Sequence, residues 1–151
     1  MSNVEAQALA YALEIGVSDI AEVSAWADSE ILSSPNPSEE LLALSTEKTI
    51  AGAISLLHEL GLGADRLCVG GRVYFYLLRA LSNGTLSPPR TAEAVVRLAR
   101  ELSAPSSTAE NESWHFDDAF YLSAQGIYGS SAEVTADLER HLRTYATQSQ
   151  L

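Results

Sequence analysis

The 151 residues amount to 16.2 kDa, long enough for a domain with a real core, and 46% hydrophobic with 19% charged is globular rather than disordered composition. A formal net charge of −11 argues against docking on nucleic acid or an anionic membrane through a broad basic face. It suits a basic protein partner, metal binding, or solubility alone.

Helical spacing recurs from the first residues onward. Ala8, Tyr11, Ala12 and Ile15 make one apolar face, and Gly16 supplies a stop. Ser18, with Glu22 behind it, reads as the N-cap of a second helix carrying Ile20, Val23, Trp26, Ala27 and Ile31. That helix must end by Pro35-Asn36-Pro37, which no helix interior tolerates. Ser38 then caps a short third helix from Glu39 to Leu44, with two carboxylates at the positive end of its dipole. Ser45 and Thr46 restart the pattern for a fourth helix, marked by Ile50, Ala53, Ile54, Leu57 and Leu60 and closed by Gly61 and Gly63.

From Asp65 the chain turns more apolar. The run Arg72-Val73-Tyr74-Phe75-Tyr76 has strand-like composition. It continues to Leu81 and stops at Ser82-Asn83-Gly84, however, so helix is the better reading. Gly70-Gly71 starts, kinks or closely packs that helix. Cys68, the single cysteine, cannot form an internal disulfide, and its place between Leu67 and Val69 predicts a buried thiol. Ser87-Pro88-Pro89 opens the next helix, and the small, polar stretch 104–112 reads as a flexible loop. A further helix holds Trp114, Phe116, Phe120 and Tyr121, ending near Gly126 or Gly129. The last runs from Ser131 or Ala132 to about Thr147. The expectation is all-α: a single domain over 1–151, built as a compact bundle of seven or eight mostly short helices. No apolar run nears the roughly 20 residues of a membrane span. The N-terminal residues lack the positive segment and apolar core of a secretory signal, which points to the cytoplasm.

Charge is not spread evenly. Residues 1–60 hold ten acids against Lys48; residues 61–109 hold three acids and six arginines; residues 110–151 hold seven acids and two arginines. Trp26, Asp28, Glu30, Glu39, Glu40 and Glu47 gather around the second and third helices. They are the candidate partner-binding set: carboxylates beside an aromatic, for a basic protein. The middle arginines Arg66, Arg72 and Arg79 are better read as ion-pair partners of the acidic ends than as an anion site.

Catalytic chemistry finds less in the sequence. His115 with Asp117 and Asp118 is the one cluster that suggests a divalent metal, because Asp118 at i+3 shares a helix face with His115. An acidic first turn explains the same aspartates without metal. There is no Gly-x-Ser-x-Gly turn and no Gly-rich phosphate loop. No catalytic residue, metal site or cofactor is therefore assigned.

The stretch Ala21 to Ile31, running into Pro37 to Ser45, resembles a Trp-Ala-Asp…Ile…Pro…Leu-x-x-Leu-Ser pattern. The pattern occurs in small all-helical immunity proteins of bacterial polymorphic-toxin systems. The likeness covers about a sixth of the chain and rests on Trp26, Asp28, Ile31, Pro37, Leu41, Leu44 and Ser45. It implies a non-enzymatic protein that neutralises a cognate basic toxin by tight binding. Two other readings fit the same composition: a general helical interaction or regulatory module, and a small metal-dependent enzyme using His115, Asp117 and Asp118.

Overall fold

A computed structural model describes residues 2–127 and 129–146, and among these there is no strand. The described residues form nine α-helices and one 3-10 turn, in the order α1 Asn3–Glu14, α2 Ile20–Ser33, α3 Glu39–Thr46, α4 Ile50–Leu60, α5 Arg66–Ser82, α6 Pro88–Glu101, α7 Ser107–Ser113, the 3-10 turn Trp114–Phe116, α8 Ala119–Ala124 and α9 Ser131–Tyr145. The expected end of the last helix at Thr147 lies outside the described residues. No described helix is long and apolar enough to cross a membrane. Contacts group the chain into two compact units that meet in sequence at Asp65 and Arg66.

The first unit holds α1 to α4. Helix α1 packs on α4, and α3 packs on both α2 and α4. Residues Glu5 to Leu13 of α1 are buried on every side except at Gln7, which suits a stretch made largely of alanine and leucine. Small side chains allow close approach. A Cβ on Gly61 would come within 2.9 Å of the Gln7 Cβ. The next three helices each start on a side-chain cap. Asp19 rather than Ser18 accepts from the Glu22 amide at 2.8 Å, while the Ser18 hydroxyl donates to the Glu22 carboxylate. Ser38 and Thr49 cap α3 and α4. Ser45 and Thr46 do not start α4 but complete α3, their hydroxyls bonding back to carbonyls three residues earlier.

The second unit holds α5 to α9. The long α5 packs on α6 and α9, and α9 also meets α7 and α8. Gly70 faces the chain after α6, where a Cβ would collide with the Ser103 carbonyl oxygen, so close packing is this glycine's role. The stretch 104–112 is not simply a loop. Ser106 caps α7 through the Ala109 amide, and residues 107–113 are helical. The single helix expected from Trp114 onward is split into the 3-10 turn and α8. Cys68 is exposed, not buried, because the first turn of α5 stands outside the buried face that begins at Val69.

Candidate functional site

The first unit concentrates the charge. Its eleven acids face only Lys48, a net −10, whereas the rest of the chain has nine acids and eight arginines. On α2, Trp26 and Glu30 lie one turn apart and are half-buried, while Asp28 lies on the opposite, exposed side. The Trp26 ring and the Asp28 carboxylate therefore do not share a face. Glu39 is exposed and Glu40 half-buried in the first turn of α3. Glu47 serves the backbone instead. Its carboxylate accepts from the Lys48 and Thr49 amides at 3.1 and 3.0 Å and from the Thr49 hydroxyl at 2.8 Å. The Thr49 bonds hold its carboxyl below the usual value.

Two apolar side chains join the exposed acids. Leu32, 88% exposed, follows Asp28 by one turn, and Leu42, 47% exposed, follows Glu39 by three residues. Both flank the turn between α2 and α3. The sequence carries the signal for Leu32 in its phase, five residues beyond the buried Ala27 and so off the core face.

The second unit contains a buried polar cluster that sequence spacing does not reveal, since its members come from three helices. His141 of α9 is 5% exposed. Its Nδ1 lies 3.1 Å from the Glu112 carboxylate and its Nε2 lies 2.7 Å from the Tyr74 hydroxyl. A carboxylate only accepts, so Nδ1 carries the proton and Nε2 accepts from Tyr74. Ser113 donates to the Ala109 carbonyl at 2.6 Å and sits 3.1 Å from the Tyr74 oxygen. Rings of Tyr74, Phe116 and Tyr145 surround the imidazole at 5.2 to 5.3 Å. Burial pushes the His141 pKa down, with Glu112 opposing, and pushes the Tyr74 phenol far up.

Serine, histidine and carboxylate together invite comparison with a hydrolytic triad, and the geometry argues against one. Ser113 is fully buried, its proton goes to a main-chain carbonyl, and it is 3.4 Å from an Nε2 already bonded to Tyr74. The cluster ties α5, α7 and α9 together. Beside it opens a cleft of about 290 Å³, lined by Glu112, His115, Phe116, Asp137, Arg140 and Thr144 as well as His141.

The alternative metal cluster of His115, Asp117 and Asp118 does not assemble. The helix stops at Phe116, so His115 and Asp118 are not successive turns of one helix, and Asp117 pairs with Arg100 at 3.2 Å. Among the described residues no three His, Cys, Asp or Glu side chains are placed to hold a metal ion. The middle arginines find varied partners. Arg66 bonds the Leu102 carbonyl, Arg72 lies over the Phe75 ring at 4.3 Å, and Arg79 lies over Tyr76 at 4.9 Å. Compared with known proteins, the chain matches no family model, no curated protein and no solved structure.

Proposed function

We propose that the chain is a non-enzymatic protein-binding domain: an acidic inhibitor, of the immunity-protein kind, that neutralises a basic toxin by direct binding. The observation that carries this reading is the concentration of charge, with −10 gathered in residues 1–65. Holding like charges together costs some stability and speeds capture of a cationic surface. Exposed Leu32 and Leu42 beside Asp28 and Glu39 add apolar area, which strengthens such a contact once water leaves it. Trp26, Glu30 and Glu40 lie on the same helix pair, while Glu47 fixes the start of α4 just after it.

The test is co-expression with the product of the adjacent gene, followed by purification of a complex. The D28K/E39K double variant should remain folded by circular dichroism and bind that partner at least tenfold more weakly, mainly through slower association. Absence of any complex, and of any protection from a toxic neighbour, would remove this reading. A complex insensitive to both charge reversal and salt would favour a general helical interaction module.

A further inference from the structure

Helix α7 is anchored differently from its neighbours. Its sequence is Ser-Thr-Ala-Glu-Asn-Glu-Ser, and only Ala109 and Ser113 are buried. Apolar burial therefore holds it weakly, and Phe116 at the end of the following 3-10 turn is the main greasy contact. The polar contacts are Ser113 against Tyr74, and Glu112 against both His141 and Tyr145 of α9. The segment 107–116 also forms one wall of the cleft, through Glu112, His115 and Phe116, with Asp137, Arg140, His141 and Thr144 of α9 opposite.

We propose that residues 107–116 form a proton-released strap: protonation of His141 frees the strap from α9 and widens the cleft of which it is one wall. The hydrogen bonds define the closed state. Neutral imidazole gives its Nδ1 proton to Glu112 and takes the Tyr74 proton at Nε2. Adding a proton at Nε2 forces the Tyr74 hydroxyl to turn toward Ser113, and leaves a cation enclosed by three rings.

The charged and titratable groups around it are few. Glu112 comes from α7, Tyr74 from α5, His115 from the 3-10 turn, and Asp137, Arg140 and Tyr145 from α9 itself. Asp137 is engaged by Arg140 at 2.8 Å, and Glu112 is half in solvent, where its attraction is screened. Burial of the imidazole therefore outweighs the attraction of Glu112 and holds the His141 pKa below its ordinary value. Lifting the strap returns the imidazolium to water. With the folded pKa below the ordinary 6.5, the closed state is fully favoured above pH 6.5 and loses its advantage as pH falls through the folded value.

The test is amide hydrogen exchange on the full chain between pH 7.5 and 5, corrected for intrinsic rates, beside NMR titration of the His141 ring. Protection of residues 107–116 should fall by up to about tenfold per pH unit below 6.5, the slope for one proton, while α6 stays protected. In H141Q that pH dependence should vanish. Uniform loss across the second unit, unchanged strap protection, or a pH response that survives H141Q would each overturn the proposal. Should H141Q fail to fold, the wild-type data still decide: strap opening must follow the His141 titration, and opening without it defeats the idea.

Discussion

Removing one oxygen from Tyr74 isolates what the buried cluster contributes to stability. Tyr74→Phe keeps the ring and its packing but leaves His141 Nε2 without the donor now 2.7 Å away. An unpaired buried acceptor costs about 1–3 kcal/mol, so urea unfolding of the second unit should shift by that amount at pH 7.5. A shift below about 0.5 kcal/mol would mean that water replaces the phenol. Glu47 gives a second residue-level expectation, of opposite setting because it lies at the surface. Its carboxyl is held below the ordinary 4.5, so the stability it lends α4 is present above pH 4.5 and is lost as pH falls through the folded value. Glu47→Ala should abolish that part of the acid response, read as exchange of the Thr49 to Gly52 amides, and leave α1 unaffected. Neither role is visible in the sequence. Glu47 reads there as one more acid in a cluster, since nothing in spacing tells a capping carboxylate from a free one.

Among elements, α5 offers the sharpest contest between local preference and packing. Gly70→Ala raises helix propensity by about 1 kcal/mol. The new methyl would collide with the Ser103 carbonyl oxygen and lie 2.9 Å from the Ala104 carbonyl carbon, both main-chain atoms that cannot swing aside. Overpacking of this kind costs about 1–3 kcal/mol, so the substitution should lower the melting temperature; a rise would show that the 103–105 segment yields. Most elements are legible from periodicity and punctuation. Ser38 and Ser87 cap where their sequence positions suggest, and α5 is helical despite the strand-like Val73-Tyr74-Phe75-Tyr76. Legibility fails where tertiary contacts outrank composition. Helix α7 has almost no apolar residues to create a period, and polar bonds to α5 and α9 order it instead. The buried cluster is invisible for the same reason, its members being Tyr74, Ser113 and His141 from distant parts of the chain.

At the scale of the whole molecule the two units should answer salt differently. The first carries −10 with a single lysine, so raising ionic strength from about 0.01 to about 0.5 M should relieve self-repulsion and increase its amide protection. The second is laced by exposed pairs, Arg97–Glu101, Arg140–Asp137 and Arg143–Glu139, each within 2.9 Å, and salt weakens these. Its protection should hold level or fall slightly. Parallel responses in the two units would mean that repulsion within residues 1–65 is already relieved by geometry. The sequence discloses this asymmetry by simple counting, but not the Asp65 to Arg66 junction at which it changes.

The exposed Cys68 at the start of α5 has a practical consequence. As the only thiol in the chain, three residues past Asp65, it is a native attachment point for a fluorophore or spin label. One equivalent of a thiol-reactive dye should couple to the folded protein without denaturant. The environment at the beginning of the second unit then becomes observable in wild-type material, with no engineered residue.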